Sequence, residues 1–188
     1  YKIAICDDDS LQVSHLETQI SKYLDEINVH YEIDGYYKGN RLVKAMRTQA
    51  DNYQLIFLDI EMEDINGIET AKLLRNLDKS FVLIYVTSYE QYALESFEVS
   101  PFRYLIKPVS TEKLRDVLSD VLVELTAKQK FLFYQVGMEH FQVILDNIVC
   151  LYSEFGRKIH LVFDNDNSVL FYGKISTLEE ELPQTHFI

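Results

Sequence analysis

The sequence predicts an α/β domain over residues 1–127, built on a doubly wound parallel sheet of five strands, and a second, smaller, mainly β domain over residues 128–188. In the first part, five short apolar runs alternate with segments of helical periodicity. After "TAKQK" the pattern changes to short β-like runs broken by Gly, Asn and Asp. With 188 residues, 47% of them hydrophobic, the chain is long enough to bury both cores.

The five predicted strands of the first domain are apolar runs separated by helical segments. In chain order they are "KIAIC", "HYEIDGYY", "LIFLD", "FVLIYVTS" and "RYLIK". Because helices separate them, neighbouring strands are expected to run parallel in βαβ units.

Two of the helical segments have a clear amphipathic pattern. The first is expected to begin with Ser10 as its cap, and the last begins near Thr111. Their apolar positions recur every three or four residues, as in a helix that covers a sheet. These positions are Val13, Leu16, Ile20, Leu24 and Ile27 in the first helix, and Leu114, Val117, Leu118, Val121, Leu122 and Leu125 in the last.

The second domain is expected to contain five strands followed by one helix. The strands are "FLFYQVG", "HFQVIL", "IVCLYSEF", "KIHLVFD" and "SVLFYGKI", and the helix is "STLEEELP". Ser176 and Glu179 have the spacing of a capping box, which predicts that this helix is capped by Ser176.

The formal net charge is −12, of which −9 lies in residues 1–127 and −3 in residues 128–188. Neither part offers a passive basic surface to nucleic acid. No apolar run approaches the roughly 20 residues of a membrane span, and no signal-peptide pattern is present, so a cytoplasmic protein without a membrane partner is expected. Cys6 and Cys150 lie in apolar runs and are expected to be buried, reduced thiols.

Polar side chains stand at the carboxyl ends of four predicted strands. Asp7 and Asp8 follow the first strand, and Asp59 ends the third. Thr87 ends the fourth strand, and Lys107 ends the fifth. In an open parallel sheet these ends meet at one crevice, where ligands bind.

The residue types at this crevice have compatible chemistry. Three close carboxylates repel one another unless a hard divalent cation such as Mg²⁺ lies among them. A hydroxyl and a lysine ammonium can then hold a phosphoryl group that has been transferred to one acid. Singly, each residue has an ordinary alternative as a turn, cap, strand or surface residue. Their joint order along the chain is what favours a functional site.

The motifs "AICDDD", "FLDIEMEDING", "YVTS" and "YLIKP" resemble the receiver domain of bacterial two-component response regulators. The resemblance implies a flavodoxin-like fold with strand order 2-1-3-4-5. It also implies that Asp59 is the phosphoacceptor for a sensor histidine kinase. Such a protein is a switch rather than an enzyme, although slow hydrolysis of its own phosphate is expected.

The resemblance also implies a metal site around Asp59. Asp8 would bind Mg²⁺ directly, together with Asp59 and the backbone carbonyl of Glu61. Asp7 would act through water or a hydrogen bond. Lys107 would contact the acyl phosphate.

Thr87 and Tyr104 would be the switch pair of such a receiver. Phosphorylation would draw Thr87 towards the phosphate and turn Tyr104 inward. The face made by the fourth helix, fifth strand and fifth helix would then change its self-association, so a dimer is expected on phosphorylation. The peptide bond between Lys107 and Pro108 would be cis.

The loop after Asp59 departs from the family pattern. Receivers often carry Pro-Gly where this chain has Glu63 and Asp64, and Asn66-Gly67 replaces the more usual Asp-Gly. The loop is therefore expected to be more mobile and more acidic, which would affect Mg²⁺ affinity and phosphate lifetime.

The second domain resembles the LytTR class of DNA-binding domain. The features are the turn at "DNI", Glu154 followed by the basic loop of Arg157 and Lys158, and the late helix "LEEELP". The resemblance implies that Arg157 and Lys158 contact DNA, although both can also be read as solvated turn charges. A LytTR domain would continue past Ile188, so the domain is expected to be incomplete. Binding to direct repeats is accordingly expected only of the full-length protein.

Two other functions remain open at this point. "ICDDDSL" also resembles the opening motif of haloacid-dehalogenase-type phosphatases, with Asp7 as nucleophile and Asp9 as acid, although Leu11 departs from that motif and Asp59 would have no role. Alternatively, the receiver signals only through protein contacts, with the β tail as a dimerisation module.

Overall fold

The computed structural model describes residues 1–48, 52–89, 99–128, 130–165 and 167–182. The chain divides into two compact units, Tyr1–Leu125 and Thr126–Ile188. Within the described part of the chain, no helix combines the length and apolar character needed to cross a membrane.

The first unit contains the predicted five-stranded parallel sheet. Its strands are β1 (Lys2–Cys6), β2 (Glu32–Tyr36), β3 (Leu55–Leu58), β4 (Val82–Thr87) and β5 (Arg103–Ile106). They lie in the order β2-β1-β3-β4-β5, and every pairing is parallel. The α/β fold class and the strand order are therefore confirmed.

The described helices of this unit cover both faces of the sheet. They are α1 (Ser10–Glu26), α2 (Gly39–Arg47), α3 (Gly67–Leu77) and α4 (Thr111–Lys128). Helices α1 and α4 pack on one face, and α2 and α3 on the other. Alternate residues of the buried strands supply the two cores, because neighbouring side chains of a strand point to opposite faces. The fourth helix implied by the receiver resemblance falls between β4 and β5, where residues 90–98 lie outside the described part of the chain.

The structure corrects two details of α1. Its N-cap is Asp9, whose side chain accepts a hydrogen bond from the backbone N–H of Leu11, and Ser10 is the first helical residue. Val13, Leu16, Ile20 and Leu24 are buried as predicted, but Ile27 is 41% exposed. Ile27 lies at the C-cap, where the chain leaves the helix, and therefore does not continue the apolar face. In α4, the predicted apolar positions pack into the core.

The described part of the second unit contains five antiparallel strands in two sheets. The strands are β6 (Phe131–Val136), β7 (Glu139–Ile144), β8 (Ile148–Glu154), β9 (Lys158–Phe163) and β10 (Ser168–Tyr172). Strands β6 and β7 form a hairpin, and β10-β9-β8 form a three-stranded sheet. The core includes Ile159, Leu161 and Phe171 on one face of that sheet.

Two predictions for the second unit are wrong. Helix α5 (Ile175–Glu181) has Lys174 at its N-cap with no side-chain hydrogen bond there, so Ser176 lies inside the helix and does not cap it. Cys150 is a free thiol as expected but is exposed, whereas Cys6 is buried. A register shift between Ile148 and Cys150 breaks the regular alternation at the start of β8. Cys150 then alternates with Leu151, which packs against the core.

Candidate functional site

The acidic residues predicted to meet at the sheet edge are held there by the backbone. The N–H of Asp7 donates to the carbonyl of Tyr36 at 3.0 Å, and the N–H of Asp59 donates to the carbonyl of Cys6 at 2.8 Å. The hydrogen-bond ladder thus extends one residue past β1 and β3 and fixes both acids. Asp8 follows directly and is exposed.

The three carboxylates form a compact group. Asp7, Asp8 and Asp59 each offer one oxygen, and these oxygens lie within 4.8 Å of one another. Asp7 and Asp59 are only 5% and 7% exposed. Two nearly buried carboxylates at this separation need a compensating positive charge.

Lys107 supplies that charge. Its Nζ donates to Asp7 Oδ2 at 2.6 Å and to Asp59 Oδ2 at 2.9 Å. The backbone N–H of Lys107 donates to the carbonyl of Thr87 at 2.8 Å, which continues the β4–β5 pairing and aims the lysine at the acids. The peptide bond between Lys107 and Pro108 is cis, as the resemblance implied.

Burial and ion pairing shift the pKa values of these ionisable groups in opposite directions. Burial raises the pKa of Asp7, and the hydrogen bond from Lys107 only partly opposes this effect. Burial alone would lower the pKa of Lys107, but the hydrogen bonds to Asp7 and Asp59 outweigh it and raise that pKa. The lysine is therefore charged over the physiological pH range. Burial also raises the pKa of the Cys6 thiol to about 12, which leaves that thiol protonated and unreactive.

The other carboxylate oxygens are partly satisfied by backbone groups. Asp7 Oδ1 accepts from the N–H of Asp9 at 3.0 Å, and Asp59 Oδ1 accepts from the N–H of Ile60 at 2.7 Å. Asp8 Oδ2 accepts from the N–H of Glu63 at 3.1 Å. These bonds orient the acids without neutralising them, so a cation is still favoured among their oxygens.

Thr87 carries an unusual hydroxyl group. The side chain is fully buried at the end of β4, and within the described part of the chain its Oγ1 has no hydrogen-bond partner. Leaving a buried hydroxyl unpaired costs roughly 1–3 kcal/mol. A hydroxyl left unpaired next to a functional crevice suits an acceptor that arrives with the ligand.

Tyr104 lies on β5 directly opposite Tyr85, with the two ring centroids 6.0 Å apart. Its hydroxyl donates to the carbonyl of Tyr89, in the segment that follows β4. The ring is half-buried, so the side chain links the edge of the sheet to that segment.

Gly67 is a site residue whose structural role was not predicted from the sequence. Its N–H donates to the carbonyl of Ile60 at 2.8 Å. A Cβ atom at this position would overlap the backbone carbonyl of Asp59 and come within 2.8 Å of Ile60 Cα. The start of α3 therefore supports the backbone of Asp59 from behind. The available signal was a glycine immediately after Asn66, which caps α3 by accepting from the N–H of Glu69.

The remaining predicted residues have clear places in the fold. Glu61 lies in the loop that follows Asp59. In the second unit, Arg157 is exposed in the turn between β8 and β9 with φ of 62°, and Lys158 begins β9 opposite Glu154. Asp9, the acid of the phosphatase alternative, caps α1, where its Oδ1 accepts a hydrogen bond from the backbone N–H of Leu11.

Comparison with known proteins identifies the class. Residues 3–119 match the family described as "Response regulator receiver domain". The chain belongs to this family and is a response regulator of two-component systems.

Its curated relatives include proteins named sensory transduction protein LytT. One from Oceanobacillus iheyensis is 32% identical over 141 residues, covering 71% of this chain and 57% of the relative. Another from Enterococcus faecalis is 27% identical over 198 residues, covering 99% of this chain and 78% of the relative. The chain thus resembles LytT-type regulators in both units and spans between 57% and 78% of the length of these two relatives.

Solved structures agree with the fold of the first unit. The receiver domain of AraT from Geobacillus stearothermophilus is 25% identical, with a TM-score of 0.60, and covers 69% of this chain and 98% of its own. TrrA from Thermotoga maritima, solved in complex with Mg(2+)-BeF, is 26% identical with a TM-score of 0.55 and covers 64% and 97% of the two chains.

Proposed function

We propose that Asp59 accepts a phosphoryl group from a phosphohistidine of a sensor histidine kinase. The observation that carries the proposal is the pairing of a nearly buried Asp59 with Lys107 at 2.9 Å, beside two further acids. An Asp59 oxygen attacks phosphorus, the phosphorus–nitrogen bond to histidine breaks, and the imidazole leaves with the electron pair. In such a transfer the protein contributes mainly position and charge.

Lys107 and Thr87 have separate tasks in this proposal. Lys107 already bridges Asp7 and Asp59, so its ammonium can follow the negative charge from the carboxylate to the phosphoryl oxygens. The unpaired hydroxyl of Thr87 can donate to one of those oxygens. The hydroxyl is unpaired in the unphosphorylated protein, and this new bond would remove that free-energy cost in the phosphorylated protein.

The donor set at the crevice fits Mg²⁺. The grouped oxygens of Asp7, Asp8 and Asp59 are the hard ligands that this ion prefers. Asp8, Asp59 and the backbone carbonyl of Glu61 would hold the ion directly, and Asp7 would act through water. When bound, Mg²⁺ supplies charge neutralisation among the carboxylates and at the phosphoryl oxygens. The complex of TrrA with Mg(2+)-BeF supports this assignment by similarity.

Phosphorylation is proposed to bias the position of Tyr104. Movement of Thr87 towards the phosphate would vacate space at the end of β4, and Tyr104 would exchange its bond to Tyr89 for an inward position. The surface formed by β5 and α4, together with the helix expected between β4 and β5, would then favour a dimer. Slow hydrolysis of the acyl phosphate would return the switch to its resting state.

The second unit is proposed to bind DNA in the full-length protein, at direct repeats, and so to control transcription. The resemblance of this unit to LytTR domains supports the assignment, and the relative named LytT from Enterococcus faecalis aligns with 99% of this chain. Arg157 stands exposed at a turn beside Lys158, where both side chains can contact a phosphate or a base edge. The wider function is therefore a phosphorylation-switched, cytoplasmic transcription regulator.

Labelling with a cognate kinase, or with acetyl phosphate and Mg²⁺, tests the phosphoacceptor assignment. The wild type should acquire a hydroxylamine-labile phosphoryl group, and Asp59→Asn should not. Asp116→Asn is a matched control, because Asp116 is an exposed acid on α4. Equal labelling of Asp59→Asn and the wild type would remove Asp59 from this role.

A further inference from the structure

The first turn of α2 is tied to the loop that follows Asp59. Asn40 Nδ2 donates a hydrogen bond to Asp64 Oδ1 at 2.8 Å. Both residues are exposed, so the contact is not required by the hydrophobic core. The hydrogen bond thus links α2 to the loop between β3 and α3.

The backbone of α2 that carries Asn40 is packed closely against its neighbours. Gly39 is buried at the start of α2, where an added Cβ would come within 2.9 Å of Ile65 Cγ1 and would overlap the hydroxyl of Thr70. The backbone of α2 therefore lies directly against the loop and against α3. Asn40, the next residue, projects from a backbone that has little freedom to move away.

On its other side the same loop contacts the acidic cluster. The N–H of Glu63 donates to Asp8 Oδ2 at 3.1 Å. Glu63 and Asp64 are the two positions where receivers often carry Pro-Gly, and proline has no N–H to donate. In this chain the two residues give the loop hydrogen bonds to Asp8 and to α2.

We infer that Asn40 is a positioning residue for the divalent cation. Through Asp64 it fixes the loop, and through the N–H of Glu63 the loop orients the carboxylate of Asp8. The same loop carries Glu61, the proposed source of a backbone ligand. This inference rests on the proposed function, because it assigns Asn40 and Asp64 to the same Mg²⁺ site.

A purely electrostatic role for Asp64 makes a different prediction. As an acid near the cluster, Asp64 could raise cation affinity by its charge alone, without any bond to Asn40. Asp64→Asn separates the two possibilities. An asparagine keeps an Oδ1 that accepts from Asn40 Nδ2 but removes the negative charge.

Isothermal titration of the unphosphorylated 188-residue chain with MgCl₂ tests the inference. Asn40→Ala and Asp64→Ala should each weaken Mg²⁺ binding about threefold to tenfold, the range expected for loss of one hydrogen bond. Asp64→Asn should stay within about twofold of the wild type, and the double alanine variant should lose no more than either single variant. Asn76→Ala, an exposed asparagine on α3, is the matched control and should not change the affinity.

Two further readouts separate positioning from a general loss of structure. Far-UV circular dichroism and thermal unfolding without Mg²⁺ should be nearly unchanged, because the altered side chains are exposed. Labelling with acetyl phosphate should shift to higher half-saturating Mg²⁺ in Asn40→Ala but should reach the wild-type rate at saturation.

Three results would overturn the inference. Unchanged affinity in Asn40→Ala would remove its role, and equal losses in Asp64→Asn and Asp64→Ala would assign the effect to charge. In both cases Mg²⁺ binding by the wild type would leave the proposed function intact. A wild type that binds no Mg²⁺ would overturn the inference together with the proposed metal site.

Discussion

Replacement of Lys107 by methionine should destabilise the first unit in a pH-dependent way. The side chains of Lys107, Asp7 and Asp59 are only 13%, 8% and 9% exposed, so solvent screens their attraction weakly. Removing one partner of a buried ion pair typically costs about 3–5 kcal/mol, because the remaining charge stays buried without compensation. The crevice opens towards exposed Asp8, so we expect the lower end, about 3 kcal/mol at pH 7 without Mg²⁺.

The sign of the pH dependence follows from Asp7. Burial raises its pKa in the folded protein, and Lys107→Met removes the hydrogen bond and charge that oppose this rise. A carboxyl group with a raised folded-state pKa contributes stability at low pH and loses it as the pH rises through that pKa. The variant should therefore regain stability, relative to the wild type, as the pH falls from 7 towards the ordinary titration range of aspartate.

Native-state hydrogen exchange measures this effect in the first unit alone. The slowest-exchanging amides of β1 and β3 should report the loss in free energy of unfolding. Lys113→Met is the matched control, since Lys113 is an exposed lysine on α4. A loss below about 1 kcal/mol at pH 7, with no recovery at lower pH, would refute the view that Lys107 compensates two buried charges.

Three further predictions follow from the fold and the proposed switch. Gly67→Ala should destabilise the first unit by about 1–3 kcal/mol through overlap with the Asp59 carbonyl, and the shift of Asp59 should slow acetyl-phosphate labelling at least about tenfold. Unchanged stability and labelling would show that the start of α3 does not support Asp59. Beryllofluoride with Mg²⁺ should raise the self-association constant measured by sedimentation, and equal constants with and without it would contradict a phosphorylation-driven dimer. A chain extended past Ile188 should bind tandem direct repeats with a steep salt dependence, and Arg157→Ala should weaken that binding. The 188-residue chain should bind DNA feebly, because residues 128–188 carry a net charge of −3. Strong, salt-sensitive binding by the shorter chain would show that residues 128–188 suffice for DNA binding, and would contradict this prediction.

Much of the fold was predictable because the three central strands of the sheet, β1, β3 and β4, are buried on both faces. Each of these strands, like β5, is a short apolar run in the sequence, and the polar residue that follows the run lies at the carboxyl end of the strand. That rule by itself brings Asp7, Asp8, Asp59 and Lys107 to one site. The pairing of Lys107 with both Asp7 and Asp59 was not predictable, because it depends on side-chain distances across three strands.

The errors arose where neighbouring residues compete or where tertiary contacts decide. Asp9 and Ser10 are both good caps, and sequence alone does not determine which one takes the position. Cys150 lies in an apolar run, but a register shift in β8 places it on the open face. The Asn40–Asp64 hydrogen bond was not predicted, because it joins residues 24 positions apart and no local sequence pattern indicates it.

Mass spectrometric location of the phosphoryl group in the wild type, after trapping of the acyl phosphate with borohydride, tests the central claim most directly. Treatment with acetyl phosphate and Mg²⁺ should place the modification on Asp59 alone, at the end of β3. A modification on Asp7 would contradict the account, because Asp7 would then be the nucleophile and Lys107 would serve a different acid.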